Sequence, residues 1–293
     1  MNDIWHYITY FLNKNSDVYH LIMTCKEISK CNFYFNEQIR INKISQSKWF
    51  HHFTNVKVDQ KEKLPLSIKQ LTFGAEFDES IEGYIPLGVT HLTFGYEFNQ
   101  PINGCIPPSV THLVFGRNFD QHINGCIPSS VKSLKFGFRF DKPIDNLPSS
   151  IVELVFDFRF GHPINKLPSM LTHLTLGDLF NKPIDGCIPS SVTHLKFGWF
   201  FNQPIKGHIP SSVIHLELHS DFIQCIKDCI PSSVTHLTLN HNFNPSYETD
   251  IPDTVKNIFF SGTFCHNRKY YIRQAFKGRA NIYFIPAEKK LIN

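Results

Sequence analysis

The chain has 293 residues, 42% of them hydrophobic, and a formal net charge of +4 from 29 Lys and Arg against 25 Asp and Glu. That mild charge is spread out with no basic stripe, so nucleic-acid binding has little support. No window approaches the roughly 18–20 apolar residues of a membrane span, and ITYFL near the N-terminus is too short, with flanks too polar, for a secretory signal.

In chain order, the first 45 residues read as helical. Ile4, Ile8, Phe11 and Leu12 share one helical face, Asn15 or Ser16 caps a second helix continued by Val18, Leu21 and Ile22, and a third stretch runs through Lys26 and Ile28. A simple N-terminal cap satisfies this pattern. Residues 46–63 read as a junction in which Trp49, Phe50 and Phe53 pack beside an exposed charged run.

From 64 to 264 the chain repeats one phrase ten times, anchored on prolines 65, 86, 107, 128, 148, 168, 189, 210, 231 and 252. Three residues after each proline stands Val, Ile or Leu, six after Leu (Ile258 in the last copy), and twelve after always Phe. A fixed period in the twenties marks a solenoid. In Val89–Phe94 apolar and polar residues alternate, which predicts one short strand per coil, with Leu92 and Phe94 inward and His91 and Thr93 outward. Gly95 is expected to let the chain turn, Asn99 to bond turn backbone, and Ile102 and Ile106 to close the coil. A single coil buries too little to offset the entropy of ordering it, so the coils stand only as a stack. A three-faced β-helix is the architectural alternative, although only one strand per coil is clear. The ninth and tenth copies lose the closing isoleucine (Tyr247, Arg268) and predict a distorted end. Residues 265–293 read as cap and tail: Tyr271, Ile272, Ala275 and Phe276 at helical spacing, then a last strand over 281–285.

The runs FNQPI (98–102, 201–205) and FNKPI (180–184) resemble the FNIP repeat, a relative of the leucine-rich repeat. The resemblance implies a mainly β, leucine-rich-repeat-like solenoid of about ten coils behind a small helical head. DIWHYITYFL (3–12), then DV, Leu21 and MTCK (23–26), resemble an F-box, with Asp3, Ile4, Trp5, Ile8 and Leu12 on its acidic and apolar positions. That likeness implies a head over 1–45 that docks on a Skp-type adaptor of a cullin ubiquitin ligase through Ile4, Trp5, Ile8, Leu12, Val18 and Leu21. It also implies a cytoplasmic protein of an amoebal or viral family, in the host cytoplasm if viral, whose solenoid holds a target protein. The alternative is a stand-alone repeat protein whose N-terminal helices are only a cap.

Two surfaces stand out as candidate sites. His91, His112, His173, His194, His215 and His236 repeat one outward strand position, the last four on successive coils, which is either a metal or pH-sensing row or a polar ladder copied with the repeat. No acidic ladder stands beside it as a second shell, so no metal or cofactor is assigned, and crowded imidazoles are expected to stay neutral. Past the strand, two consecutive positions escape the uniformity: Tyr96, Arg117-Asn118, Phe138-Arg139, Phe158-Arg159, Asp178-Leu179 and Trp199-Phe200. Side-by-side aromatics and arginines are either a contact surface or a satellite core. No catalytic constellation emerges, because identical coils multiply the same few residues whereas an active site needs unlike groups converging. Of the eight cysteines, Cys105, Cys126, Cys187 and Cys229 recur beside the core and suit buried thiols better than disulfides.

Overall fold

The structure is a computed structural model that describes residues 38–43, 45, 51, 53–219, 222–240 and 250–285. Leu12, Val18 and the other head positions lie outside the described residues, as do Trp49, Phe50, Phe243 and Tyr247.

One parallel sheet runs the length of the described chain, its strands stacked strictly in sequence order. The ten repeats supply β3 (Gln70–Phe73), β4 (His91–Thr93), β5 (His112–Val114), β6 (Ser133–Lys135), β7 (Glu153–Val155), β8 (His173–Thr175), β9 (His194–Lys196), β10 (His215–Glu217), β11 (His236–Asn240) and β12 (Asn257–Ser261). Each coil contributes a single strand, which is the leucine-rich-repeat-like solution rather than a three-faced helix. Register is exact from coil to coil: Leu71, Leu92 and Leu113 are paired, as are Leu195, Leu216 and Leu237.

The sheet also reaches past the repeats at both ends. β1 (Ile39–Arg40) and β2 (Asn55–Val58) pair ahead of β3, and β13 (Asn281–Ile285) pairs with β12. Strand structure therefore begins inside the stretches read from sequence as head and junction. The physical reason is the alternation in Asn55-Val56-Lys57-Val58, whose two valines are fully buried against the first coil.

Inside, the side chains form continuous files. In the second coil Val89, Leu92, Phe94, Phe98, Ile102 and Ile106 are all buried, and among the described residues the other coils repeat the set with small changes. Phenylalanines of the two Phe columns meet within a coil, with ring centroids 3.9 Å apart for Phe115 and Phe119, and stack between coils, 6.2 Å for Phe119 and Phe140. Offset stacking of this kind adds about 1 kcal/mol per pair to the area buried.

Polar ladders close the outside of the stack. Ser109, Ser130, Ser191, Ser212 and Ser233 each donate Oγ–H to a carbonyl of the preceding coil at 2.6–2.7 Å. Asn99 bonds turn backbone as expected, but that of the next coil: its Oδ1 accepts the backbone N–H of Asp120 at 2.9 Å. The same link joins Asp78 to Asn99, Asp120 to Asp141, and Asp141 to Gly161.

The glycines divide into two kinds, and the turn role expected of Gly95 belongs to the other kind. A Cβ on Gly95 would lie 1.7 Å from the carbonyl oxygen of Gly74, and one on Gly116 equally close to that of Gly95. Glycine there permits backbones of successive coils to touch. The positive φ belongs to Gly83, Gly104, Gly125, Gly186 and Gly207, in the turn before the next proline, where Asn146 and Asp228 take the same conformation. In the last copies Asn240 and Ser261 replace the contact glycine and β11 and β12 lengthen to five residues. Asn240 sustains the ladder by donating Nδ2–H to the carbonyl of His219 at 2.7 Å.

At the C-terminal end, helix α1 (His266–Ala275) folds back with Ile272 and the following Phe276 buried. Tyr271, expected on that inner face, is 65% exposed; the helix turns it outward beside Tyr270.

Candidate recognition surface

Strand alternation turns every second side chain out of the stack, and exact register lines these up as two outward columns. The first holds the histidines. The second, two residues later, holds Val114, Lys135, Val155, Thr175, Lys196 and Glu217 on successive coils. Beyond the contact glycines runs the rim.

The histidines form two stacks, not one row. His91 lies over His112 with ring centroids 4.2 Å apart. Ser133 and Glu153 then interrupt the column, bonded to each other at 2.6 Å, before His173, His194, His215 and His236 stack at 4.2–4.3 Å. Each Nδ1 in the longer stack except that of His215 lies 2.8–2.9 Å from the hydroxyl of the preceding threonine. The hydroxyls of Thr172 and Thr193 also lie 3.2 Å from a carbonyl of the coil before, so each ties its neighbouring imidazole to the stack. Near-parallel rings direct their lone pairs side by side rather than onto one point. Among the described residues no group of three or more His, Cys, Asp or Glu is placed to hold a metal ion.

Desolvation, joined by the charges of its stacked neighbours, lowers the pKa of His194, and the same causes act on His91. His215 is lowered too, by burial and His236, with Glu217 opposing. Glu217 is itself held below the usual carboxylate range: burial raises it, but the nearby His219, at 3.6 Å, and the paired Lys196 outweigh that.

A groove of about 650 Å³ lies where the second column meets the rim. Val114, Val155 and Thr175 line its floor, and Tyr96, Arg117 and Phe138 line its wall. The Arg117 guanidinium sits 4.4 Å from the centre of the Phe138 ring and 5.3 Å from that of Tyr96, so rings from the coils on either side hold it. Phe138 in turn stacks on Phe158 at 4.8 Å. The rim has its own backbone ladder: Asn118 N–H donates to Tyr96 O, Arg139 to Arg117 O, Arg159 to Phe138 O and Leu179 to Phe158 O, at 2.8–3.0 Å. A smaller hollow of about 180 Å³ adjoins it, lined by His173, His194, His215, Lys196 and Glu217.

The residues singled out from sequence therefore fall into groups. Tyr96, Arg117 and Phe138 come together in the groove, and His173, His194 and His215 in the hollow beside it. Arg139, Phe158, Arg159 and Trp199 continue the rim without lining either, and His91 and His112 stack apart. On the rim Phe138 and Phe158 are half-buried against each other, as a satellite core would be, while Arg139 and Arg159 are exposed. Asp178, by contrast, is buried. Sequence reasoning passed over the second column, although the alternation that exposes His91 exposes Thr93 and its equivalents too.

A family model for the FNIP Repeat matches residues 60–97, 77–118, 98–139, 123–158, 160–200, 201–242 and 226–263. The chain belongs to the FNIP repeat family. Among solved structures, that of CroV588, a circular leucine-rich-repeat protein, is similar at a TM-score of 0.66 and 36% identity, covering 74% of this chain and 35% of its own. This FNIP repeat chain thus spans about a third of the length of that structure. YopM from Yersinia enterocolitica WA-314 aligns at 15% identity and a TM-score of 0.42, over 71% of this chain and 50% of its own. No curated protein matches.

Among the described residues no helix is long and apolar enough to cross a membrane. Cys105, Cys126, Cys187, Cys225, Cys229 and Cys265 are free thiols. Burial raises the pKa of Cys105, Cys126, Cys187 and Cys229, which favours their protonated thiols.

Proposed function

We propose that this protein is a non-catalytic receptor whose solenoid binds a target protein on its outward strand face and rim, and whose N-terminal segment docks on the Skp-type adaptor of a cullin ubiquitin ligase. The observation that carries the target-binding half is the contrast between uniform inward files and an outward groove where Tyr96, Arg117 and Phe138 converge. Tyr and Arg anchors beside an apolar floor have the composition of interaction hot spots. Its contribution to the reaction is placement: a stiff stack presents the target's lysines to a ligase held elsewhere.

The docking half rests on the F-box likeness of residues 3–26, with Ile4, Trp5, Ile8, Leu12, Val18 and Leu21 as contacts. It draws support from β2, whose buried Val56 and Val58 already continue the sheet beyond the first coil, which leaves less for a helical cap to cover. The same reading gives an intracellular protein working in the cytoplasm of the cell in which it acts. Pull-down with purified Skp-type adaptor tests it: full-length protein should retain the adaptor, and deletion of residues 1–37 should abolish retention while the melting temperature holds. Loss of solenoid stability on that deletion, with no adaptor bound by the full chain, would favour the competing reading of a stand-alone repeat protein with a helical cap.

A further inference from the structure

The rim carries a basic strip of definite length. Arg117, Arg139 and Arg159 stand on the third, fourth and fifth coils, and none of them pairs with a carboxylate among the described residues. On the second outward column Lys135 pairs with Glu153 at 2.6 Å and Lys196 with Glu217 at 3.2 Å. The position of Arg139 and Arg159 is taken by Glu76 and Glu97 on the first two coils and by the uncharged Leu179 on the sixth. The groove beside it is lined by three cations, Arg117, Lys135 and Lys196, and one carboxylate, Asp157.

We infer that this strip and groove bind a short, extended, acidic segment of a partner protein that carries aliphatic residues among its carboxylates. The inference rests on the reading that the outward face binds protein, and adds the chemistry of what it binds. A guanidinium in contact with aromatic rings keeps N–H donors for a carboxylate, and bidentate pairing is the strongest use of them. Contact with two rings also holds Arg117 in place before binding, so less side-chain entropy is lost when a ligand arrives. The backbone ladder from Tyr96 to Leu179 fixes the spacing: Arg139 and Arg159, at the same position on adjacent coils, are anchored about 5 Å apart, and Arg117 stands one position earlier on the coil before them. An extended chain brings same-side residues round about every 7 Å, within reach of such long side chains. Val114 and Val155 offer aliphatic contact under the same segment. The acids on one side disfavour a long polyanion, because a nucleic acid that ran on along the strip would meet the exposed Glu97 and Glu76.

Fluorescence anisotropy on the full chain tests this with a short labelled peptide alternating glutamate and valine. The peptide should bind, and its glutamine-for-glutamate counterpart should bind about tenfold more weakly or worse. The pair R139Q and R159Q should produce a comparable loss with an unchanged melting temperature, while K182A, away from the rim, should change nothing. Equal binding of the glutamine peptide, or no effect of the arginine substitutions, would overturn the acidic assignment and leave the wider protein-binding reading standing. So would tighter, competing binding of a single-stranded oligonucleotide. Failure of the adaptor pull-down bears on the N-terminal segment alone and is independent of all these outcomes.

Discussion

Six residues after each anchoring proline, nine coils carry leucine and the tenth Ile258, every one buried. One residue earlier, on the other face of the same strands, the chain holds Gln70, two histidines, Ser133, Glu153, four more histidines and Asn257. The inward file must fit an identical neighbour above and below, so a change in one coil is felt in three. The outward file meets solvent on one side and tolerates charge, ring or hydroxyl. Uniformity therefore marks where the stack holds itself, and variety marks where selection is free to build contacts with something else.

That contrast predicts a steep gradient of mutational cost. Phe119→Ala should be the most damaging, about 3–5 kcal/mol, because it empties a fully buried site flanked by Phe98, Phe115 and Phe140. Chemical denaturation measures it, and a loss under about 1 kcal/mol would mean that coils relax independently. Between the two kinds of glycine, Gly116→Ala should cost about 1–3 kcal/mol or more, since the new methyl meets the Gly95 carbonyl. Gly104→Ala meets nothing within 4 Å and should cost only about 1–2 kcal/mol for its positive φ. Reversal of that order would show that the coils are not in backbone contact.

The smallest effect is on the outward face and depends on pH. His91, His194 and His215 have pKa values lowered in the fold, so the unfolded chain takes up protons first as pH falls. Their contribution is whole above the unfolded value near 6.5 and is lost below it. Melting temperature should therefore decline from pH 7 to pH 5.5, and the slope should flatten when His194 and His215 are both replaced by Gln. An unchanged slope would assign the pH response to other groups.

Much of the fold was legible because its determinants are local and repeated. Period, alternation and the Phe and Leu columns lie in one line of text, and they yielded strand position, facing and stacking. The two glycine roles were harder to separate: Gly95 is needed for the approach of a residue one whole coil away, while Gly104 answers to its own turn. β2 escaped notice because Asn55–Val58 lacks the proline anchor, although its two valines alternate as the repeats do. In the candidate site, the rim positions were visible as departures from the repeat. The groove was not, since it forms only where the rim curls over a second outward column, and the placement of Arg117 between two rings depends on side chains from three coils.

Pairwise distance by electron–electron double resonance tests the in-register stack most directly. Nitroxide-bearing non-natural residues at His112 and Asn257, which share the first outward column seven strands apart from β5 to β12, are the reporters. A single narrow distribution near about 34 Å, seven strand spacings, is the expected result. A broad distribution, or a narrow one at a clearly different distance, contradicts a continuous sheet with one outward face.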